Sequence, residues 1–446
     1  MKLPVLNAED FKQRRAKLAK KMGKNSVAII ATRAEMLRNG DADYKYRAES
    51  SFYYLTGFAE PEAVAVLSTD NTGKLDYILF CRERNRDMEI WNGYRAGLAG
   101  AVEDYHADQA FAITDLDQEI LQFIQNKDKL YYRFGKDHAF DHKVTTWCKA
   151  LYDQHRQGVH AAKSIIPLDS ILDEMRVIKS KKELDLMRAA AKISAKAHLY
   201  AMQKIRPNMM EYQLEAEINY IFGQYGCVPS YNSIVGGGAN GCILHYVENN
   251  QALKSGDLVL IDAGCEYQHY AGDITRTFPV NGKFTAEQKA VYEVVLNAEL
   301  AAIEQVKLGN HYRKPHETTV KILTEGLIDL GLLKGELNEL IETEKYRQFF
   351  MHGTGHWLGM DVHDVGDYKN DAGEWRAYEN NMVVTIEPGL YIAPDDMTVD
   401  EKWRGIGIRI EDDIVVRGDN PENMTVDAIK TIADIEYFMA EHTCKS

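Results

Sequence analysis

The most informative stretch of the sequence is residues 352–364, which read His352-Gly353-Thr354-Gly355-His356-Trp357-Leu358-Gly359-Met360-Asp361-Val362-His363-Asp364. Three imidazoles fall within twelve positions, and the glycines among them remove side-chain bulk. His352 and His356 are four residues apart, as on one face of a helix, but Gly353 and Gly355 disfavour a regular helix. Such a cluster is either a set of hydrogen-bonded structural histidines or part of a metal site. Carboxylates elsewhere in the chain decide between the two.

The composition is typical of a soluble, acidic protein with more than one domain. The 446 residues exceed what one ordinary hydrophobic core accommodates, so we expect two domains. The formal net charge of −14 disfavours nucleic acid and anionic membranes as partners. The N-terminus lacks the apolar segment of a signal peptide, and no run of about 18 apolar residues occurs. These features predict a cytoplasmic protein.

The cysteines agree with a reducing compartment. None of the six forms a CxxC pair, which argues against a disulfide scaffold and against a zinc–thiolate site. We expect free thiols at all six positions, which are Cys81, Cys148, Cys227, Cys242, Cys265 and Cys444.

The first part of the chain has the pattern of a small α/β domain. Residues 7–22 are amphipathic and follow Asn7, a plausible helix cap. The apolar run at residues 27–31 predicts a strand, and the turn at residues 70–73 predicts a hairpin between the strands that flank it. We assign residues 1–174 to this domain.

A charged segment at residues 179–183, shortly after Pro167, indicates the connection to a second domain, residues 175–446. Cap patterns predict helices after Ser180, after Asn208 and after Thr285, and a fourth helix covers residues 315–333. The strands predicted among these helices form two pairs, residues 257–262 with 273–278 and residues 383–387 with 406–411. The order is helix, helix, strand pair, and then the same again.

Four carboxylates lie at the ends of these strands. Asp262 and Glu387 each end an apolar run and precede a glycine-containing turn, and Asp273 follows Gly272. One strand-end carboxylate is usually structural, but several on neighbouring strands favour a functional site.

The last predicted strand, residues 406–411, places Gly407, Arg409 and Glu411 on one face, because alternate residues of a strand share a face. One interpretation is a solvent-exposed edge with a weak ion pair. In the other, Gly407 leaves room for a group close to the backbone, and Arg409 orients or charge-balances Glu411.

A metal centre explains why these carboxylates would gather with His356. Buried carboxylates repel one another, and each is costly to desolvate when unpaired. Four carboxylates and one imidazole exceed the ligands of a tetrahedral zinc but suit two cations that share bridging carboxylates. An oxygen-rich donor set without thiolate favours Mn²⁺, with Co²⁺, Zn²⁺ and Fe²⁺ as alternatives.

The motifs resemble the pita-bread metallopeptidases, peptidase family M24, and among them the aminopeptidase P (Xaa-Pro aminopeptidase) family. The resemblance covers residues 175–440 and implies an α+β pita-bread (creatinase/aminopeptidase) catalytic domain. Its matching segments are Ile261-Asp262-Ala263-Gly264, Gly272-Asp273-Ile274-Thr275-Arg276-Thr277, residues 352–363, Thr385-Ile386-Glu387-Pro388-Gly389 and Gly407-Ile408-Arg409-Ile410-Glu411-Asp412. Residues 46–63 are similar to the N-terminal domain of the bacterial members, a creatinase-type domain that prolidases share.

The resemblance implies a site with two divalent metal ions. It assigns Asp262 to one metal, Asp273 and Glu411 to bridging positions, and His356 and Glu387 to the second metal. A water or hydroxide that bridges the metals would be the nucleophile. Glu387 would accept its proton and pass it to the departing proline nitrogen, directly or through a histidine.

The resemblance also implies a pocket for peptides that carry proline at their second position. His352 and His363 match residues that line this pocket and take part in catalysis, and His245 matches another lining residue. Tyr231 is a candidate for substrate contact, and Arg409 is a candidate for supporting a carboxylate. In the N-terminal domain, Trp91 resembles a residue that reaches the site of a neighbouring subunit in a homotetramer or dimer.

Several alternatives share these ligands or this fold. A prolidase, which cleaves only Xaa-Pro dipeptides, uses the same metal ligands. A methionine aminopeptidase is disfavoured by the long N-terminal domain, and a creatinase by the complete ligand set. A metal-free binding protein with the pita-bread fold would be expected to have substituted ligands, and none of the five is substituted here.

Overall fold

The computed structural model, which describes residues 3–442, begins with the helix that the sequence predicts. Helix α1 (Ala8–Met22) starts after Asn7, whose side chain accepts a hydrogen bond from the amide of Asp10. The chain divides into two compact units, Leu6–Met175 and a second that contains residues 3–5 and 176–442. The sequence interpretation places its boundary at residues 174 and 175, and it assigns the first residues to the N-terminal unit instead.

The N-terminal unit is built on one mixed sheet of six strands with helices around it. The strands of this sheet are β1 (Ser26–Ala31), β4 (Val64–Thr69), β5 (Leu75–Cys81), β6 (Gln109–Ala112), β7 (Lys129–Tyr131) and β8 (Ser164–Ile166), while β2 (Leu37–Asn39) and β3 (Ala42–Asp43) form a separate two-stranded sheet. The strand order of the large sheet is β6-β5-β4-β1-β7-β8, in which β1 is antiparallel to β4 and parallel to β7. The predicted hairpin is confirmed as β4 and β5, joined by a turn in which Asp70 accepts three backbone amide hydrogen bonds.

The core of this unit lies between the sheet and its helices. Val27 and Ile29 of β1, Phe80 of β5 and Trp147 of the helix at His138–Tyr152 belong to one buried apolar cluster. This packing confirms the α/β class of the N-terminal domain. The remaining helices are α2 (Ser50–Thr56), α3 (Arg86–Asn92), α4 (Gly97–Glu103), α5 (Leu116–Glu119), α6 (Leu121–Ile124), α7 (His138–Tyr152) and α8 (Asp169–Val177), the last two residues of which belong to the second unit.

The second unit alternates helix pairs with short strands, as predicted. Capping boxes at Ser180 and Thr285 start α9 and α11. Its helices are α9 (Lys181–Lys204), α10 (Glu211–Gln224), α11 (Ala286–Ile303), α12 (Lys314–Asp329), α13 (Leu337–Glu342) and α14 (Ile432–His442). Its strands are β9 (Val228–Pro229), β10 (Ile234–Gly237), β11 (Leu258–Asp262), β12 (Cys265–Tyr267), β13 (Tyr270–Ala271), β14 (Thr275–Pro279), β15 (Val383–Ile386), β16 (Gly389–Tyr391), β17 (Gly407–Arg409), β18 (Asp412–Val415) and β19 (Glu422–Asn423).

The predicted cap at Asn208 is wrong. Asn208 has a φ of +70°, in the left-handed region, so it belongs to a turn. Helix α10 instead starts at Glu211, where the Gln213 side chain accepts a hydrogen bond from the Met210 amide.

The first predicted strand pair is confirmed and the second is wrong. Strands β11 and β14 are antiparallel, with Asp262 opposite Thr275. Strand β15 pairs with β18, whereas β17 pairs with β16. The predicted strand over residues 406–411 breaks because the amide of Glu411 donates to the carbonyl of Thr275 in β14.

Of the two interpretations of this face, the structure excludes the solvent-exposed edge and supports the one in which Gly407 leaves room for a group close to the backbone. Gly407, Arg409 and Glu411 are all buried. A Cβ atom on Gly407 would lie 2.2 Å from the carbonyl oxygen of Gly241, so this glycine makes room for another stretch of backbone.

The structure bears on the expected absence of a membrane span and on the expected free thiols. Within residues 3–442, no helix is both long and apolar enough to cross a membrane. Five cysteines are free thiols, namely Cys81, Cys148, Cys227, Cys242 and Cys265, while Cys444 lies outside the described residues.

The stretch at residues 352–364 forms an irregular loop that a buried ion cluster anchors. The Asp364 carboxylate accepts from Arg176 at 2.6 Å and from Lys179 at 3.1 Å, and all three side chains are 1% exposed. Gly359 permits this arrangement, because a Cβ atom there would lie 2.0 Å from Asp364 Oδ2. The loop that carries His363 is therefore fixed by charges buried beneath it.

Substituting Asp364→Ala is expected to lower the free energy of unfolding by about 3–5 kcal/mol, because it removes the carboxylate that balances Lys179 and helps to balance Arg176. Urea unfolding of the variant and the wild type measures the difference. Asp371→Ala, at an exposed carboxylate, is the control and should change stability by less than about 0.5 kcal/mol. Equal stability of the Asp364 variant and the wild type would show that the cluster does not anchor the loop.

Candidate active site

The strands place the four candidate carboxylates at their ends. Asp262 is the last residue of β11, Asp273 lies two residues before β14, and Glu387 follows β15 directly. Glu411 lies between β17 and β18, at the break in the predicted strand. Asp273 is 4% exposed and Glu411 is 2% exposed, so the site is largely withdrawn from water.

One cavity of about 420 Å³ brings together every candidate residue of the C-terminal unit. It is lined by Tyr231, His245, Asp262, Asp273, His352, His356, His363, Glu387, Arg409 and Glu411, among others. Trp91 belongs to the N-terminal unit, where it lies in α3 and is 84% exposed.

Three of the five predicted metal ligands form a tight donor group. One ligand atom each of Asp273, His356 and Glu411 lie within 4.8 Å of one another. His356 Nε2 is 3.5 Å from Asp273 Oδ2 and 3.9 Å from Glu387 Oε1. Asp262 lines the same cavity. The donor set therefore fits the oxygen-rich, dinuclear site that the sequence predicts.

The buried ionisable groups of this site favour the binding of a cation. Burial raises the pKa of Glu387 to about 7, and it also raises the pKa of Asp273 and of Glu411. Burial would lower the pKa of His356, but the hydrogen bond to Asp273 and the charge of Glu387 raise it to about 9. Burial thus favours the protonated form of these carboxyl groups more than water does, and a divalent cation would compete with the protons for their oxygens.

The stability gained from metal should therefore increase with pH. In the metal-free protein Glu387 and His356 bind protons more tightly than in the unfolded chain, because their folded pKa values of about 7 and about 9 exceed the ordinary 4.5 and 6.5. Metal-free stability then falls as pH rises from about 5 to about 9. We expect the gap in Tm between Mn²⁺-loaded and chelated protein to widen by about 5 °C or more between about pH 5.5 and about pH 8.5. A gap that stays constant or narrows in differential scanning fluorimetry would contradict this.

Tyr231 joins two of the carboxylates. Its hydroxyl oxygen lies 2.6 Å from Asp262 Oδ1 and 2.5 Å from Asp273 Oδ1. Burial and the neighbouring carboxylates hold the pKa of Tyr231 well above its ordinary value, so it remains a hydrogen-bond donor. Tyr231 is thus placed to hold the two aspartates at a fixed separation.

Arg409 has a different partner from the one that the sequence predicts. Its guanidinium donates to Asp262 Oδ2 at 2.7 Å and to the Tyr391 hydroxyl at 3.1 Å, and not directly to Glu411. Its Nε donates to Thr275 Oγ1, and Thr275 in turn donates to Glu411. The expected support of Glu411 therefore passes through Thr275. The sequence interpretation missed Thr275, which lies in a segment that matches the family, and Tyr391, which lies two residues after one.

The three pocket histidines occupy different positions. His352 Nε2 is 2.8 Å from the Tyr391 hydroxyl, and His352 Nδ1 is 3.9 Å from Glu387 Oε2. Burial lowers the pKa of His352 to about 3, so its imidazole is neutral near pH 7. The ring of His363 lies 4.4 Å from that of His356, centroid to centroid, and His245 is exposed on the cavity wall.

This fold and this donor set define the class of pita-bread metallohydrolases, and comparisons with known proteins give the family. Residues 185–418 match Metallopeptidase family M24, and residues 11–131 match the Aminopeptidase P, N-terminal domain. The Xaa-Pro aminopeptidase of Escherichia coli K12 is 45% identical, over 97% of this chain and 98% of that protein. The chain belongs to metallopeptidase family M24 and is a metalloenzyme of the Xaa-Pro aminopeptidase type.

Two solved structures extend the likeness to three dimensions. The Pseudomonas aeruginosa aminopeptidase PepP is 48% identical, with a TM-score of 0.96 and 99% of both chains covered. A zinc-substituted E. coli aminopeptidase P in complex with product is 44% identical, with a TM-score of 0.96, over 99% of this chain and 100% of that chain. These matches confirm the predicted fold class over essentially the whole length.

Proposed function

We propose that this M24 enzyme hydrolyses the bond between the first residue of a peptide and a proline at the second position, with two divalent cations in its site. The observation that carries the proposal is the convergence of the five predicted ligands in one cavity. The domain limits that we propose are residues 1–174 and 175–446.

The ligand assignment is the one that the family resemblance implies. Asp262 would hold one metal, Asp273 and Glu411 would be shared by both metals, and His356 and Glu387 would complete the second site. When bound, the cations would acidify a water molecule that acts as the nucleophile and would polarise the scissile carbonyl. We propose Mn²⁺ as the native metal, because the donors are mainly carboxylate oxygens with one imidazole and no thiolate.

Glu387 is proposed as the group that accepts the proton of the attacking water. It follows β15 directly and lines the cavity, where burial raises its pKa to about 7. Glu387 then hands the proton to the departing proline nitrogen, directly or by way of His352 or His363. The His352 Nδ1 atom is 3.9 Å from the Glu387 carboxylate, but it donates a hydrogen bond to the Gly353 carbonyl at 2.6 Å, so this imidazole must first release that hydrogen bond to take part in the relay.

The histidines also shape the pocket for proline. An Xaa-Pro bond is a tertiary amide without an N–H group, so its recognition relies on the shape of the pyrrolidine ring. His245, His352 and His363 line the cavity beside the metal ligands and offer flat rings for this purpose. Tyr231 and Arg409 are proposed to contact the substrate and to fix Asp262.

The proposal also includes a subunit number and a cellular location for the enzyme. Trp91 is proposed to reach the site of a neighbouring subunit, and its high exposure leaves it available for such a contact. We propose a homotetramer or dimer in the cytoplasm, with peptides as partners and neither nucleic acid nor membrane involved. Light scattering of the purified enzyme measures its subunit number.

A comparison of peptide lengths tests the substrate class. The Mn²⁺-loaded enzyme is incubated with the dipeptide Gly-Pro and with a longer Xaa-Pro-Xaa peptide. We expect cleavage of the longer peptide with release of its first residue. Cleavage of the dipeptide alone would identify a prolidase. No cleavage of either, together with no bound divalent ion by metal analysis, would indicate a metal-free binding protein.

A further inference from the structure

Thr275 lies between two of the proposed metal ligands. It is the first residue of β14, it is 0% exposed, and it stands opposite Asp262 in the pairing with β11. Its carbonyl oxygen accepts the amide of Glu411. A buried threonine in a strand is usually explained by packing, but the partners of this hydroxyl are unusual.

The Thr275 hydroxyl links the side chains of Arg409 and Glu411. Arg409 Nε lies 3.1 Å from Thr275 Oγ1, and Thr275 Oγ1 lies 2.7 Å from Glu411 Oε2. A guanidinium can only donate, so Thr275 accepts from Arg409, and its single hydroxyl proton is then directed at the Glu411 carboxylate. The direction of both hydrogen bonds is therefore determined.

The same guanidinium holds a second ligand. Arg409 donates to Asp262 Oδ2 at 2.7 Å and to the Tyr391 hydroxyl at 3.1 Å, so all three of its nitrogens have partners. Arg409 thus fixes Asp262 directly and fixes Glu411 through Thr275. The two carboxylates come from positions far apart in the chain, and these hydrogen bonds set their relative orientation.

We propose that Thr275 is a positioning residue of the metal centre: its hydroxyl aims the Glu411 carboxylate and couples it to the Arg409 guanidinium that holds Asp262. The inference rests on the proposed function, because it takes Glu411 and Asp262 as metal ligands. Groups that orient ligands in this way typically change metal affinity by about 10–100-fold when they are removed.

Removing the hydroxyl has two local effects. The Glu411 carboxylate loses the donor that fixes its rotation, and the buried Nε of Arg409 loses its acceptor. Thr275→Val removes the hydroxyl at nearly constant shape, whereas Thr275→Ser keeps the hydroxyl and removes a methyl group. The pair therefore separates hydrogen bonding from packing.

Thr277 provides a matched control on the same strand. It is also 0% exposed, and its hydroxyl donates to the Arg409 carbonyl at 3.0 Å and accepts from the Arg409 amide at 3.2 Å. Thr277→Val therefore also removes a buried threonine hydroxyl that contacts Arg409. This hydroxyl contacts only the backbone of Arg409, and it contacts none of the proposed metal ligands.

The experiment is a titration of each full-length, metal-free variant with Mn²⁺, in which free Mn²⁺ is followed by its electron paramagnetic resonance signal. We expect Thr275→Val to bind Mn²⁺ about 10–100-fold more weakly than the wild type. Thr275→Ser and Thr277→Val should bind within about three-fold of the wild type. Thermal melting of each metal-free variant verifies that it is folded.

The outcomes are distinguishable. Affinity of Thr275→Val equal to that of the wild type, or an equal loss in Thr277→Val, overturns the positioning role and leaves the proposed function intact. Failure of the wild type to bind Mn²⁺ counts against the proposed function itself. If Thr275→Val does not fold, Thr275→Ala replaces it. Failure of both to fold while Thr277→Val folds contradicts the inference, because it would make Thr275 a residue of the fold.

Discussion

Asp273→Ala is expected to abolish peptide hydrolysis while the protein stays folded. Asp273 belongs to the donor group with His356 and Glu411, and we propose that it bridges both metals. Its loss would empty or distort both sites, so kcat/KM for an Xaa-Pro-Xaa peptide should fall by at least about 1,000-fold. The assay is run with excess Mn²⁺, together with metal analysis and circular dichroism.

The control for this variant is Asp257→Ala, which removes a carboxylate just before β11 and outside the cavity lining. Its kcat/KM should stay within about three-fold of the wild type. Retained turnover in Asp273→Ala, with the wild-type amount of bound metal, would contradict the bridging assignment.

Glu387→Gln is expected to lower kcat by about 100- to 10,000-fold, the range for loss of a general base. Glutamine keeps an oxygen that can bind a cation, but it cannot accept a proton. The variant is therefore assayed at saturating Mn²⁺, so that weaker metal binding does not account for the loss. A drop in kcat with little change in KM is the predicted signature.

A second buried glutamate serves as the control. Glu299 is 0% exposed, accepts a hydrogen bond from Lys430 and is outside the cavity lining. Burial raises the pKa of Glu299 well above its ordinary value, and Glu299→Gln changes a buried carboxyl group of the same size away from the proposed ligands. Its kcat should remain within about three-fold of the wild type. If Glu387→Gln keeps more than about a tenth of kcat, another group accepts the proton.

Local chemistry explains which features could be predicted from the sequence. The caps at Asn7, Ser180 and Thr285 depend on residues within one helical turn, and the structure confirms all three. Asn208 shows where prediction from a local pattern fails, because an asparagine favours a left-handed turn as well as a helix cap. In the structure Asn208 adopts the left-handed turn. Most candidate residues of the C-terminal unit were found because they lie in segments that match the family, whereas Tyr231 and His245 were proposed as single positions outside those segments.

Long-range packing explains why the remaining features could not be predicted from the sequence. The partner of β15 depends on where Glu411 breaks its strand, and that break is made by a hydrogen bond to Thr275, 136 residues earlier. The pairing of Arg409 with Asp262 likewise joins residues 147 apart. Thr275 and Tyr391 carry no chemical signal of their own, since threonine and tyrosine are common in buried strands. Only the folded arrangement reveals what their hydroxyl groups support.

Anomalous diffraction at the manganese absorption edge, from crystals of the Mn²⁺-loaded enzyme, tests the central claim most directly. The claim is that Asp262, Asp273, His356, Glu387 and Glu411 hold two cations in one cavity. We predict two anomalous peaks about 3.5–4 Å apart among these five side chains, the spacing of dinuclear hydrolytic sites. A single peak, or peaks outside this cavity, would contradict the account.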